Sequence, residues 1–168
     1  MPNLCVFSMK IKGTEENCRK WLELLKGNTD EAHFYRMDDI YTSVEEGTEE
    51  SFVMVIHGVC AWSLETCCRA SGYSHGVDLF AVNTKRFSLA MEAWGEETGM
   101  GFQEHYVYKN GECLKEECED YTEFWWDREA YPIYEDLLSE FPDAPEKEKF
   151  VEDYAGVGGF EGYGEWTI

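Results

Sequence analysis

Basic residues are scarce in this sequence. It carries 14 Lys plus Arg against 35 Asp plus Glu in 168 residues, a formal net charge of -21 with a pI near 4.4. Such a chain repels a polyanion at long range, which excludes sequence-independent nucleic-acid binding as its business. Long apolar runs are missing too. No stretch approaches the roughly 18–20 consecutive apolar residues that cross a bilayer. The segment MPNLCVFSMKIKG also lacks a charged n-region followed by an apolar h-region, so a soluble, cytoplasmic protein is expected. Catalytic signatures are absent: there is no GxSxG elbow, Walker-type loop, HExxH or EF-hand loop. Gly99 to Gly101 stand beside Glu96 and Glu97, which would repel a phosphate.

Cysteine is present without order. Cys5, Cys18, Cys60, Cys67, Cys68, Cys113 and Cys118 are odd in number, and Cys67 adjoins Cys68, a pattern unlike a secreted disulfide framework. Burial as small hydrophobes is the simplest role for them, with Cys18 on the inner face of a first helix. Cys60, Cys67, Cys68, His57 and His75 form the only local concentration of soft ligands, and no CxxC or HxxxH spacing organises them. No metal and no cofactor is therefore expected.

What the chain does have is apolar material and located charge. Hydrophobic residues make up 43% and aromatics 15%, more than a disordered acidic polypeptide carries, so one packed domain over 1–168 is expected. Residues 1–110 hold 17 acidic and 10 basic side chains, whereas residues 111–168 hold 18 acidic and 4 basic. That acidic third is interleaved with aromatics from Tyr121 to Trp166, which predicts a folded extension displaying carboxylates from fixed positions.

Periodicity predicts a strand over Leu4–Ile11 and an amphipathic helix capped by Thr14, with Cys18, Trp21, Leu22 and Leu25 inward and Gly27 at its end. Strands follow over Phe34–Val44 and Phe52–Cys60, separated by a charged EEGTEE turn. Ser63 can cap a short helix through LETCC. The stretch GYSHGVDLFAVNT reads as a loop with Leu79 and Phe80 as an apolar plug. Leu89, Met91 and Ala93 suggest a fourth strand. Phe102–Lys109 and Glu112–Glu119 flank Asn110-Gly111, the strongest short-range hairpin signal. Pro132 starts a predicted helix with Tyr134, Leu137, Leu138 and Phe141 on one face, a short charged helix is possible over Glu146–Asp153, and VGGFEGYGEWTI reads as a Gly-rich turn leading to a short terminal strand.

Several blocks converge on one family. MPNLC, AWS at Ala61–Ser63, EETGMGFQEHY from Glu96 to Tyr106, NGE at Asn110–Glu112 and GGFEGYGEW together resemble the YubB-type ferredoxin-like domain family of phages, plasmids and related mobile elements. Leu4 stands where that family usually has tryptophan, and the prolines that often follow AWS are absent. The resemblance implies an α+β fold: a ferredoxin-like βαββαβ core and first hairpin strand over 1–110, then a second hairpin strand and an acidic, aromatic-rich extension over 111–168. It also implies a mobile-element context, and no established activity comes with it.

Glu104 and His105 are consecutive on a predicted strand, so they point to opposite faces and cannot pair. A partner for His105 must come from a neighbouring strand. Cys113, Glu117 or Tyr108 of the hairpin could lie near one of the two, and a half-buried histidine bonded within the sheet is the expectation. An RNA-recognition surface needs aromatics on a basic sheet, but Arg19-Lys20 and Lys85-Arg86 are the only adjacent basic pairs among the first 110 residues. The acid itself remains. Carboxylates on a rigid scaffold can imitate a phosphate array and enter the cationic groove of a nucleic-acid-binding protein. The expectation is a non-enzymatic acidic binding protein that engages a basic host protein as a nucleic-acid mimic or inhibitor of host defence. Its contact set is Glu112, Glu116, Glu117, Glu119, Asp120, Glu123, Asp127 and Glu129, with Trp125 and Trp126 as apolar anchors. The alternatives are a small metal-dependent or Cys/His enzyme built on His57, His75, His105 and the Cys60–Cys68 cluster, and a structural acidic oligomer.

Overall fold

The computed structural model describes residues 3–27, 34–69, 76–97, 100–120, 160 and 162–168. It is an α+β fold, with nine elements among the described residues: β1 (Leu4–Gly13), α1 (Glu15–Leu25), β2 (Met37–Thr48), β3 (Ser51–Ala61), α2 (Leu64–Cys68), α3 (Leu79–Arg86), β4 (Ala90–Glu97), β5 (Phe102–Lys109) and β6 (Glu112–Asp120). The six strands form one sheet in the order β2-β3-β1-β4-β5-β6, and every neighbouring pair is antiparallel.

Helix α1 forms for the reasons its sequence gives. Thr14 accepts from Asn17 N at 3.3 Å, Glu15 and Glu16 stand in the first turn, and Cys18, Trp21, Leu22, Leu24 and Leu25 are buried. It covers the sheet face presented by Cys5, Phe7, Met9 and Ile11 of β1 and by Phe52, Met54, Ile56 and Cys60 of β3. Trp21 is the hub of this layer. Its ring lies 5.0 Å from Phe34 and 6.3 Å from Phe80, and Phe80 in turn meets Tyr106 at 6.0 Å and Tyr108 at 5.6 Å.

Four elements depart from the expectation. Leu79 and Phe80 are not a loop plug but the start of α3, because Asp78 caps it by accepting from Ala81 N at 2.9 Å. The sequence carries the aspartate cap, but an eight-residue helix is too short for a clear period. The charged EEGTEE turn shrinks to Glu49-Glu50, since β2 runs through Glu45, Glu46 and Thr48, and acidic residues are tolerated on an exposed edge strand. β2 begins at Met37 rather than Phe34, whose ring is 2% exposed in the core. Residues 165–168 form no strand; they lie against the sheet face and bond to side chains, not to a strand edge. The Asn110-Gly111 hairpin stands as expected, with φ of 51° and 90°. The predicted helices after Pro132 and over Glu146–Asp153 lie outside the described residues.

Replacing Trp21 with alanine should lower unfolding stability by about 3–5 kcal/mol in urea titrations, whereas Lys20→Ala, at an exposed i,i+4 pair with Glu16, should change it by less than about 0.5 kcal/mol.

Candidate functional site

The register of β5 decides where the chemistry lies. Glu104 pairs with Gly95 on β4 and Cys118 on β6, on the helix side of the sheet, and His105 pairs with Trp94 and Glu117 on the other. Both side chains are 1% exposed.

On the helix side the Glu104 carboxylate meets the start of α2. Leu64 N donates to Oε1 and Glu65 N to Oε2, each at 2.9 Å, and Tyr106 OH donates to Oε2 at 2.8 Å. Gly95 leaves the necessary space: a Cβ there would stand 3.2 Å from Glu104 Oε1. Burial pushes the Glu104 pKa up, while these donors oppose the shift. With its lone pairs engaged, the carboxylate is an anchor for the helix.

Beside it Arg69 gathers four groups. Its Nε donates to Tyr108 OH at 2.8 Å and lies 3.7 Å from Asp78, Nη1 reaches Glu65 at 2.7 Å, and Nη2 reaches Glu116 at 2.8 Å. The guanidinium also lies 5.0 Å from the Tyr106 ring. Burial disfavours its charge, but the bond to Glu116 and the surrounding carboxylates keep Arg69 protonated above its ordinary range. Conversely, the bond from Arg69 holds Glu116 below the usual carboxylate pKa. Next to this network opens a cleft of ≈ 460 Å³ lined by Ser63, Glu65, Phe102, Glu104, Tyr106, Glu116, Glu117 and Cys118. Its charged lining is all carboxylate, and its aromatic walls suit a cationic side chain.

On the opposite face one row crosses all six strands: Tyr41, His57, Ser8, Trp94, His105 and Glu117. His57 Nδ1 lies 2.8 Å from Ser8 Oγ and Nε2 2.7 Å from Ser43 Oγ, and burial lowers its pKa. His105 stacks on Trp94 with centroids 3.6 Å apart, and its Nε2 lies 2.7 Å from Glu92 Oε1. The expectation of a half-buried histidine is corrected to a fully buried one, and its partner is Glu92 on β4 rather than a residue across the hairpin. No sequence periodicity marks Glu92; only the register of β4 against β5 brings it there.

Of the predicted contact residues, Glu112, Glu116, Glu117 and Glu119 lie exposed on β6 at the sheet edge. They do not share a face: Glu116 points to the helix side and bonds Arg69, whereas Glu117 points to the other and pairs with Lys115 at 3.0 Å. Asp120 ends the strand, its side chain outside the description. Glu123, Trp125, Trp126, Asp127 and Glu129 lie outside the described residues, as does His75. His57 and Cys60 are three apart on β3 and therefore face opposite sides, so the proposed soft-ligand set does not converge. Cys5, Cys60, Cys67 and Cys68 are buried together on the helix side, where Cys67 Sγ lies 3.0 Å from Ala61 O. Burial raises the Cys68 pKa. Cys113 and Cys118 are exposed, unlike the other five. Among the described residues no group of three or more His, Cys, Asp or Glu is arranged to hold a metal ion. Sequence reasoning missed Arg69, although a signal existed: it is the lone basic residue between Arg36 and Lys85.

No protein-family model matches the chain, and no curated protein matches it. Among solved structures it is similar to LarC2, described as the C-terminal domain of a cyclometallase involved in the synthesis of the NPN cofactor of lactate racemase, in its apo form. The similarity has a TM-score of 0.28 and 8% identity, covering 87% of this chain and 91% of that one. A likeness that low carries no weight for fold or function.

Arg69→Met should destabilise the protein by about 1–3 kcal/mol, because Glu65 and Glu116 lose their cationic partner while Tyr108 OH and Asp78 keep only each other's bond beside them. The loss should be visible in urea unfolding near neutral pH and smaller in mild acid, where the same carboxylates take up protons.

Proposed function

We propose that this protein is an acidic binding module that engages a cationic, nucleic-acid-binding protein along the β6 edge, as a nucleic-acid mimic or inhibitor of host defence. The observation that carries the proposal is the cleft beside that edge: three carboxylates, Glu65, Glu104 and Glu116, around the rings of Phe102 and Tyr106, with no basic residue among the described residues of the lining. A lysine or arginine side chain of the partner would enter it, and Glu112 and Glu119 on the exposed strand would extend the negative field that steers association. Because β6 sends alternate side chains to opposite faces, the partner surface would wrap a strand edge instead of lying against a flat array.

The mobile-element setting comes from the likeness to the YubB-type ferredoxin-like family. The setting rests on that likeness alone; the ferredoxin-like part of the reading is favoured by the order β2-β3-β1-β4, in which α1 carries the chain from β1 across to β2 with β3 between, and α2 and α3 carry it from β3 to β4 with β1 between. On this reading a βαββαβ core is extended by the two strands of the β5-β6 hairpin.

The full chain immobilised on a resin should retain basic nucleic-acid-binding proteins from host lysate, with retention falling as salt rises and duplex DNA competing. Combined Glu112→Lys, Glu117→Lys and Glu119→Lys changes, which spare the Arg69 partner Glu116, should weaken a recovered interaction by about tenfold or more. Recovery of no basic protein, or binding unchanged by the triple reversal, would sink the proposal.

A further inference from the structure

Glu92 is 0% exposed on the face away from the helices, and one of its oxygens is taken by His105. The rest of its capacity goes to the segment that follows Gly164. Oε2 accepts from Thr167 N at 2.6 Å and from Ile168 N at 3.0 Å, and Oε1 accepts from Thr167 Oγ1 at 3.1 Å. Lys10, opposite Glu92 in the β1–β4 register, donates to the main-chain oxygen of Ile168 at 2.7 Å. Further along, Trp94 Nε1 donates to Glu165 O at 3.3 Å, Phe160 N donates to the Gln103 side chain at 2.9 Å, and the Phe160 and Tyr163 rings meet Trp94 edge-on. These residues seal His105 beneath them. With Glu92 ionised, His105 Nε2 carries the hydrogen of their bond, which leaves Nδ1 as a buried nitrogen without a hydrogen-bond partner.

We propose that Phe160 and residues 162–168 form a proton-gated strap, closed over the sheet while His105 is neutral and released when Nδ1 takes a proton. A proton there becomes a buried donor with no acceptor: Nδ1 has no hydrogen-bond partner, and the rings of Trp94 and Phe160 pack on the imidazole. Opening the strap gives that N–H water. The charged neighbours act in both directions. Glu92 on β4 and Glu117 on β6 favour the imidazolium, Lys115 on β6 opposes it, and Lys10 on β1 offsets part of the Glu92 charge. Burial is the largest influence and outweighs them, leaving the His105 pKa below its ordinary value of 6.5. The sign follows. A closed form with the lower pKa binds fewer protons than the open form, so closure is complete above the ordinary histidine pKa and weakens as pH falls through the depressed one.

Amide exchange of the full chain followed by NMR tests this. Protection of Thr167 and Ile168, corrected for intrinsic exchange, should fall severalfold between roughly pH 7.5 and pH 5. Amides of β1 and β3 should keep theirs. His105→Gln, which retains a donor for Glu92 and does not titrate, should flatten the response. Protection independent of pH, or an equal decline in His105→Gln, would overturn the proposal. So would an imidazole signal of His105 titrating at or above 6.5 in the unaltered protein, a readout that needs no variant.

Discussion

Glu104 and His105 are consecutive on β5, and the pleat sends one buried ionisable side chain into each of the two layers that cover the sheet. Each survives burial because its layer supplies partners. α2 brings two backbone N–H groups to Glu104, beside the Tyr106 hydroxyl from the same strand; on the other face His105 meets Glu92 of β4, whose carboxylate holds Thr167 and Ile168 of the strap. A slip of one residue in the β4-β5 pairing would send the carboxylate to the strap and the imidazole to α2, with donors and acceptors mismatched on both sides. Buried polar groups of this kind fix a register more than they add stability. The positions of α2, Arg69 and the acidic cleft all follow from it.

The charge of the molecule is also shaped by that arrangement. Edge strand β6 stays acidic and exposed because its inward neighbours on β5, Tyr106 and Tyr108, already complete the core, so β6 needs few apolar side chains of its own. Charged edges resist indiscriminate pairing with other strands. The same acidic edge is the face proposed for a basic partner, with Glu116 diverted inward to Arg69.

Much of the fold was legible in the sequence, and the reasons are local. Thr14 with the Cys18, Trp21, Leu22, Leu25 repeat specifies α1, and Asn110-Gly111 specifies the β5-β6 hairpin, because cap and turn chemistry act over a few residues. The opposite orientation of Glu104 and His105 was legible for the same reason. The partners were not. Glu92 lies 13 residues from His105 and Arg69 lies 47 residues from Glu116, and only the strand register and the placing of α2 bring each pair together. The extent of β2 was missed because edge exposure lets Glu45 and Glu46 occupy strand positions that propensity disfavours. The acidic residues of β6 were found, but their division between two faces required the register of the strand.

The two buried carboxylates anchor separate layers, Glu104 the helix layer and Glu92 the strap. Residue-resolved amide exchange at neutral pH on Glu104→Gln and Glu92→Gln tests it most directly. Each change should reduce protection on its own side alone: Leu64 and Glu65 in the first, Thr167 and Ile168 in the second. Loss of protection at both sites in either variant would contradict the account.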